Sequence, residues 1–157
     1  MAVSAIITAL VVSLLAVCFF VLGYYLTTGI LPGARAVYIP STPPLTDNKI
    51  GEKQAKFMYF YATWCPWSQK AQIPWASFKQ LVQNQGLTYG GYSITFDDIN
   101  GDTNKGMSSL YNVNAFPTFK LETSDKLYEM KGTPDILTFK EFLKATLGEE
   151  KVTQGSS

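Results

Sequence analysis

Hydrophobic and polar positions fall into three successive patterns along this chain. From Ala2 to Ala34 no side chain is charged, and Ala5–Leu26 is almost wholly apolar. A helix that crosses a bilayer needs ~20 apolar residues at ~1.5 Å each, and this run is long enough. Tyr24 and Tyr25 near its end fit an interfacial aromatic pair. Residues 1–28 are therefore expected to form a transmembrane anchor. Residues 29–56 carry Gly29, Pro32, Gly33, Pro40, Pro43 and Pro44. This composition predicts an extended stalk or linker, with Ser41-Thr42-Pro43-Pro44 near polyproline II and a possible short strand over Ala36–Ile39.

From Phe57 onward the pattern is that of a globular domain, expected over residues 57–148. The run Phe57–Ala62 is apolar and aromatic, as in a fully buried strand. It stops at Thr63-Trp64, and Cys65 and Pro66 follow. Ala71, Trp75, Phe78 and Val82 recur at helical spacing, and Asn84-Gln85-Gly86 signals a helix end. This predicts a long helix from about Pro66 to Asn84. Tyr92, Ile94 and Phe96 alternate, which predicts a strand over Gly91–Asp98. Asp97–Asp102 (DDINGD) is read as a turn, since its spacing is wrong for a calcium loop. Asn104–Leu110 reads as a short helix. Thr118–Glu122 and Leu127–Lys131 read as a hairpin. Thr133-Pro134-Asp135 starts a final helix with Ile136, Phe139, Phe142, Leu143 and Leu147 inward. Glu149–Ser157 is expected to be a polar, disordered tail. Strand, helix, strand, helix, hairpin, helix gives an α/β sandwich with a mixed central sheet flanked by helices.

Composition narrows the chemistry. The chain has 157 residues and a net charge of +1, which suits one domain with an appendage and implies no nucleic-acid partner. It has no histidine and two cysteines, which excludes His-dependent triads, histidine metal sites and a cysteine zinc cluster. No metal or cofactor is implied. With one cysteine in the globular part, no disulfide can form inside it. A cleaved signal peptide is the rival reading of the N-terminus, but no basic segment precedes the apolar run. Cys18 then reads as a lipid-facing or packing residue, with palmitoylation or dimerisation as the alternative. Arg35 and Lys49 follow the apolar run, and by the positive-inside rule they lean the domain toward the cytoplasmic side of its membrane.

Cys65 sits where a buried strand hands over to a helix. Unpaired backbone N–H groups and the positive end of the helix dipole favour a thiolate there. The plain alternative is a small, half-buried filler.

Three segments resemble the thioredoxin superfamily, especially the thioredoxin-like domains of disulfide isomerases. They are Ala62-Thr63-Trp64-Cys65-Pro66-Trp67-Ser68, the segment Tyr111–Phe119 with Pro117 in the position of the family's cis-proline, and the closing strand and helix over Leu127–Leu147. The resemblance implies that Cys65 is the nucleophile, with Ser68 able to hydrogen-bond its thiolate. It also implies a substrate groove rimmed by Trp64, Trp67, Phe116, Pro117 and Thr118. Departures accompany it. Ser68 stands in place of the resolving cysteine, Tyr59 stands in place of the buried acid, and the helix proline, Pro74, comes one residue late. There is also little room for the family's first strand and helix, so that unit is expected to be reduced or missing. Cys-Pro-x-Ser is similar to one-cysteine glutaredoxins too, without a further glutathione-binding signature. Three functions stay open. One is one-cysteine thiol–disulfide exchange or thiol capture with a protein partner, on a protein held to a lipid bilayer through Ala5–Leu26. Another is a redox-inactive interaction module of a membrane-associated assembly, such as a minor structural protein between the inner membrane and capsid of a large DNA virus. The last is a peptide binder that uses the aromatic rim without sulfur chemistry.

Overall fold

In a computed structural model, residues 2–28, 39–45 and 49–152 are described. The chain divides into two compact units, Met1–Ala36 and Val37–Ser157. The first contains α1, a continuous helix over Ala2–Thr28 with no acidic residue in its first turn and no basic residue in its last. Its described side chains, among them Val11, Leu14, Phe19 and Phe20, are exposed, except for the half-buried Val21. Among the described residues no helix is long and apolar enough to cross a membrane. The side chains of Tyr24 and Tyr25, read as the interfacial pair, lie outside the described residues.

The second unit is a mixed α/β fold. Its elements are β1 (Ser41–Thr42), β2 (Gln54–Tyr61), α2 (Pro66–Gln85), β3 (Leu87–Tyr89), β4 (Ser93–Asn100), α3 (Lys105–Leu110), β5 (Thr118–Glu122), β6 (Leu127–Met130), α4 (Ile136–Leu147) and β7 (Glu150–Val152). The main sheet runs β1-β6-β5-β2-β4, and β3 and β7 form a separate two-stranded sheet. β2 lies parallel to β4 and antiparallel to β5, with Phe57 opposite both Phe96 and Leu121.

β2 alternates between two cores. On one face Ala55, Phe57 and Tyr59 meet Ala71, Trp75, Phe78 and Val82 of α2 and Phe139, Phe142 and Leu143 of α4. Phe57 is the hub, with ring centroids 5.0 Å from Trp75, 5.5 Å from Phe142 and 5.9 Å from Phe139. On the other face Met58 and Phe60 join Ile99, Tyr111 and Leu127. The four-residue stripe on α2 is buried as its spacing requires. α2 stays one helix through Pro74, and its end is closed by Gly86 in the left-handed conformation.

Several sequence expectations need correction. Part of the segment read as a stalk belongs to the sheet: Ser41 and Thr42 pair with Tyr128 and Leu127. Ile39 packs on the larger core, and the Leu45 N–H donates to Glu122 Oε1 at 3.3 Å. An extended, proline-bearing strand is well suited to a sheet edge, where a missing N–H is harmless. Ala36–Tyr38, part of the suggested short strand, lies outside the described residues. DDINGD is strand through Asn100, and the turn begins at Gly101. Ile136 is exposed, and Thr138 takes an inward place in α4. Glu150–Val152 of the expected tail form β7, and residues 153–157 lie outside the described residues. Tyr89 is fully buried and donates its hydroxyl to Glu150 Oε2 at 2.6 Å, and Lys140 pairs with the same carboxylate at 3.0 Å. A buried phenol needs an acceptor, and β7 brings one. Among the described residues no helix precedes β2 within this unit.

The turn from β3 to β4 is tight. Tyr89 and Tyr92 exchange both backbone bonds around Gly90 (φ 56°) and Gly91 (φ 81°), the geometry of a two-residue hairpin that needs two positive φ angles. A Cβ on Gly90 would lie 1.7 Å from the Leu147 carbonyl oxygen. Gly90→Ala is therefore expected to destabilise the domain by at least ~1–2 kcal/mol, from the left-handed backbone alone, in urea unfolding followed by tryptophan fluorescence.

Candidate active site

The site forms where β2 ends. Tyr61 closes the strand, and the chain turns through Thr63-Trp64 so that the Cys65 N–H donates to the Ala62 carbonyl at 3.2 Å. Cys65 is the N-cap of α2, with extended backbone, and its carbonyl accepts the first helical bond from Gln69 at 3.1 Å. Pro66 follows at the first helical position, where its missing N–H costs nothing. Ser68, almost fully buried, accepts from the Ala62 N–H through Oγ at 3.3 Å. Its carbonyl accepts from the Tyr59 hydroxyl at 2.6 Å. Tyr59 thus ties β2 to the first turn of α2.

The Phe116–Pro117 peptide bond is cis. Cys65 Sγ lies 3.4 Å from the Phe116 carbonyl, to which the thiol donates. The Ser68 N–H holds the thiol below the usual cysteine range; burial opposes this, and the Ser68 hydroxyl and the Trp67 N–H reinforce it. The two protonation states therefore use different partners. The thiol gives its proton to Phe116, and the thiolate collects donors at the helix start. Cys65 is 6% exposed, although little protein depth surrounds it. Burial pushes the Tyr59 phenol up to about 12, so it remains a donor at neutral pH and cannot take a proton from the sulfur.

Beside the thiol lies a groove of about 450 Å³ lined by Trp67, Lys70, Phe116, Pro117 and the Gly132–Pro134 turn. Trp67 is 68% exposed, with the Lys70 ammonium 5.0 Å from its ring centre. Of the residues expected to rim a groove, Trp67, Phe116 and Pro117 come together. Trp64 and Thr118 do not line this groove. Trp64 donates its indole N–H to Asp102 Oδ1 at 2.9 Å, and the Thr118 hydroxyl donates to the Ala115 carbonyl at 2.8 Å. Lys70, the Gly132–Pro134 turn, Gly101 and Asp102 escaped sequence reasoning. Asp102 was visible only as part of an acidic run. Gly101 has a packing role: a Cβ there would come within 2.1 Å of the Phe116 ring, so this glycine lets Phe116 sit where its carbonyl meets the sulfur.

Removing the Ser68 hydroxyl tests the electrostatics. In a Cys18→Ser background, Ser68→Ala is expected to move the midpoint of the pH–alkylation profile of Cys65 upward, because the thiolate loses a donor while the Ser68 and Trp67 N–H groups stay. It also leaves the buried Ala62 N–H unpaired, at a cost of about 1–3 kcal/mol in stability.

Comparison with known proteins follows the same lines. The Thioredoxin family profile matches residues 44–145. Similar solved structures include human ERp44, at 16% identity and a TM-score of 0.52, covering 60% of this chain and 28% of that one. The first two thioredoxin domains of Naumovozyma dairenensis Eps1p match at 18% identity and a TM-score of 0.50, covering 58% of this chain and 34% of that one. A malarial protein matches at 16% identity and a TM-score of 0.50, covering 60% of this chain and 98% of its own. The likeness thus spans about a quarter to a third of the ERp44 and Eps1p chains, and at these identities it speaks for the fold. A search of curated proteins found no match. The strand–Cys65–helix handover, the cis Pro117 segment and a profile match over most of the chain have one explanation: this chain belongs to the thioredoxin family.

Proposed function

We propose that the domain performs one-cysteine thiol–disulfide exchange with a protein partner. The observation that carries this reading is the Cys65 sulfur at the start of α2, lowered in pKa by the first-turn N–H groups and set against the Phe116–Pro117 segment. The Cys65 thiolate attacks one sulfur of a partner disulfide. A bond forms between Cys65 and that sulfur, the partner's S–S bond breaks, and the second partner sulfur leaves as a thiolate. Ser68 cannot displace the mixed disulfide. A second thiol, from the partner or a small-molecule thiol, must attack it and regenerate Cys65. The cycle exchanges disulfides and needs no net oxidant.

The test uses a model peptide disulfide with the Cys18→Ser chain. A mixed disulfide should form at neutral pH faster than free cysteine would form it, and Cys65→Ser should abolish it. Ser68→Cys should shorten the life of the mixed disulfide severalfold, because an intramolecular thiol has a high effective concentration. A Cys65 that reacts no faster than free cysteine contradicts the proposal. That result favours the second reading, a redox-inactive interaction module, which rests on the low exposure of Cys65 and on the tyrosine in place of an internal proton acceptor.

A membrane tether forms part of the same proposal. α1 is helical over 27 residues, and its described apolar side chains other than Val21 are exposed. A helix that is apolar on all sides and exposed suits lipid better than water. The full chain is expected to stay with membranes through a carbonate wash; release into the supernatant would remove the tether from the proposal.

A further inference from the structure

β4 ends the main sheet, and its outer edge is unpaired among the described residues. The register shows which groups are open. The Ser93 N–H donates to the Lys53 carbonyl at 2.9 Å, and the Gly101 N–H donates to the Tyr61 carbonyl at 2.8 Å. Odd-numbered residues of β4 therefore turn their backbone groups toward β2. The N–H and C=O groups of Ile94, Phe96 and Asp98 point away from the sheet. Among the described residues none of these has a hydrogen-bond partner. The segment that leads into the domain pairs on the opposite edge, at β6, about four strand spacings or ~19 Å away. The neighbouring sheet surface is already fitted to water: Gln54, Ser93 and Thr95 are exposed. The edge is different, with the β-branched and aromatic run Ile94-Thr95-Phe96 and eight residues of strand. An open edge of this length and composition is a template for another strand.

We infer that the occupant of the β4 edge is β4 of a second copy, joined antiparallel about a two-fold axis through Phe96. In that register Phe96 faces Phe96, and Ile94 of each copy faces Asp98 of the other, so all the open groups of both edges pair. Thr95 of each copy then stands opposite Asp97 of the other, and no carboxylate directly faces another. Asp98 is neutralised within its own chain by Lys79 and the Trp75 indole N–H. Asp97 has no hydrogen bond or ion pair among the described residues and is half-buried, and in this register it faces the neutral Thr95, whose hydroxyl donates to the Ala55 carbonyl of its own chain, rather than a second carboxylate. A register centred on Asp97 would set two carboxylates face to face and is disfavoured. The edge is thus its own complement, and pairing would extend each main sheet into its neighbour's.

The geometry predicts an asymmetric cross-link. In a Cys18→Ser, Cys65→Ser background, full chains carrying Thr95→Cys and Asp97→Cys are mixed in detergent solution under mild oxidation. Directly opposed, non-hydrogen-bonded residues lie ~4.5 Å apart at Cα, within reach of a disulfide. The mixture should give disulfide dimers well in excess of either variant alone. Charge supplies a second readout on an exposed position. Thr95→Lys, placed opposite Asp97, should tighten the dimer, and Thr95→Asp should loosen it by about fivefold in dissociation constant across two cross-strand pairs. A chain that stays monomeric, as it would if the edge served another protein, overturns the inference. So does association through α1 alone, which would leave the mixed pair uncross-linked and the Thr95 variants indistinguishable.

Discussion

The seating of α2 on β2 is the constraint on which the rest depends. Phe57 and Tyr59 face Ala71, Trp75, Phe78 and Val82 across a dry, aromatic layer. Truncating an aromatic in such a layer costs ~3–5 kcal/mol, so the helix cannot slide along the strand. Because the helix is fixed, its first turn is fixed too. The N–H groups of Trp67 and Ser68 then fall on Cys65 by construction, and the hydrogen bond from Tyr59 to the Ser68 carbonyl locks the joint from below. The setting of the sulfur is thus a consequence of core packing along the same helix.

The site differs from a complete two-cysteine site in ways that share one logic. Tyr59 replaces an internal acid with a phenol that stays protonated, and Ser68 replaces a second thiol with a hydroxyl. Each substitution keeps a hydrogen bond and removes a proton- or sulfur-transfer step. What survives is a single thiol whose pKa is lowered by first-turn donors, with no second thiol next to it in the helix. Such a site suits exchange or capture governed by its partner. Among the described residues no strand pairs with the outer edge of β4. Gln54, Ser93 and Thr95 beside this edge are exposed and tolerate water, but side-chain choice cannot remove the polar N–H and C=O groups of an edge strand, which among the described residues have no partner.

Much of the domain was legible in one dimension because its signals are local. The apolar run of β2, the four-residue stripe of α2, the Gly86 end signal and the β5–β6 hairpin each follow from residues close in sequence, and each lies where its pattern places it within a few residues. What escaped was short, polar or edge-bound. β1 has two residues, β3 and β7 have three each, and all are strands only because a partner supplies their hydrogen bonds. Glu150 carried no sign that Tyr89 would hold it, since the two lie 61 residues apart along the chain.

The sequence by itself determined the family, the position of a single sulfur at a strand-to-helix joint, and the lack of any second thiol beside it, because periodicity, caps and residue identity suffice for these. Only the tertiary structure decided which aromatics meet around the groove, that Trp64 turns to Asp102, that the Gly132–Pro134 turn faces Trp67, and that one sheet edge has no neighbour among the described residues. These are contacts between segments far apart in the chain. They follow from how helices and strands are stacked, and no local pattern of residues encodes that.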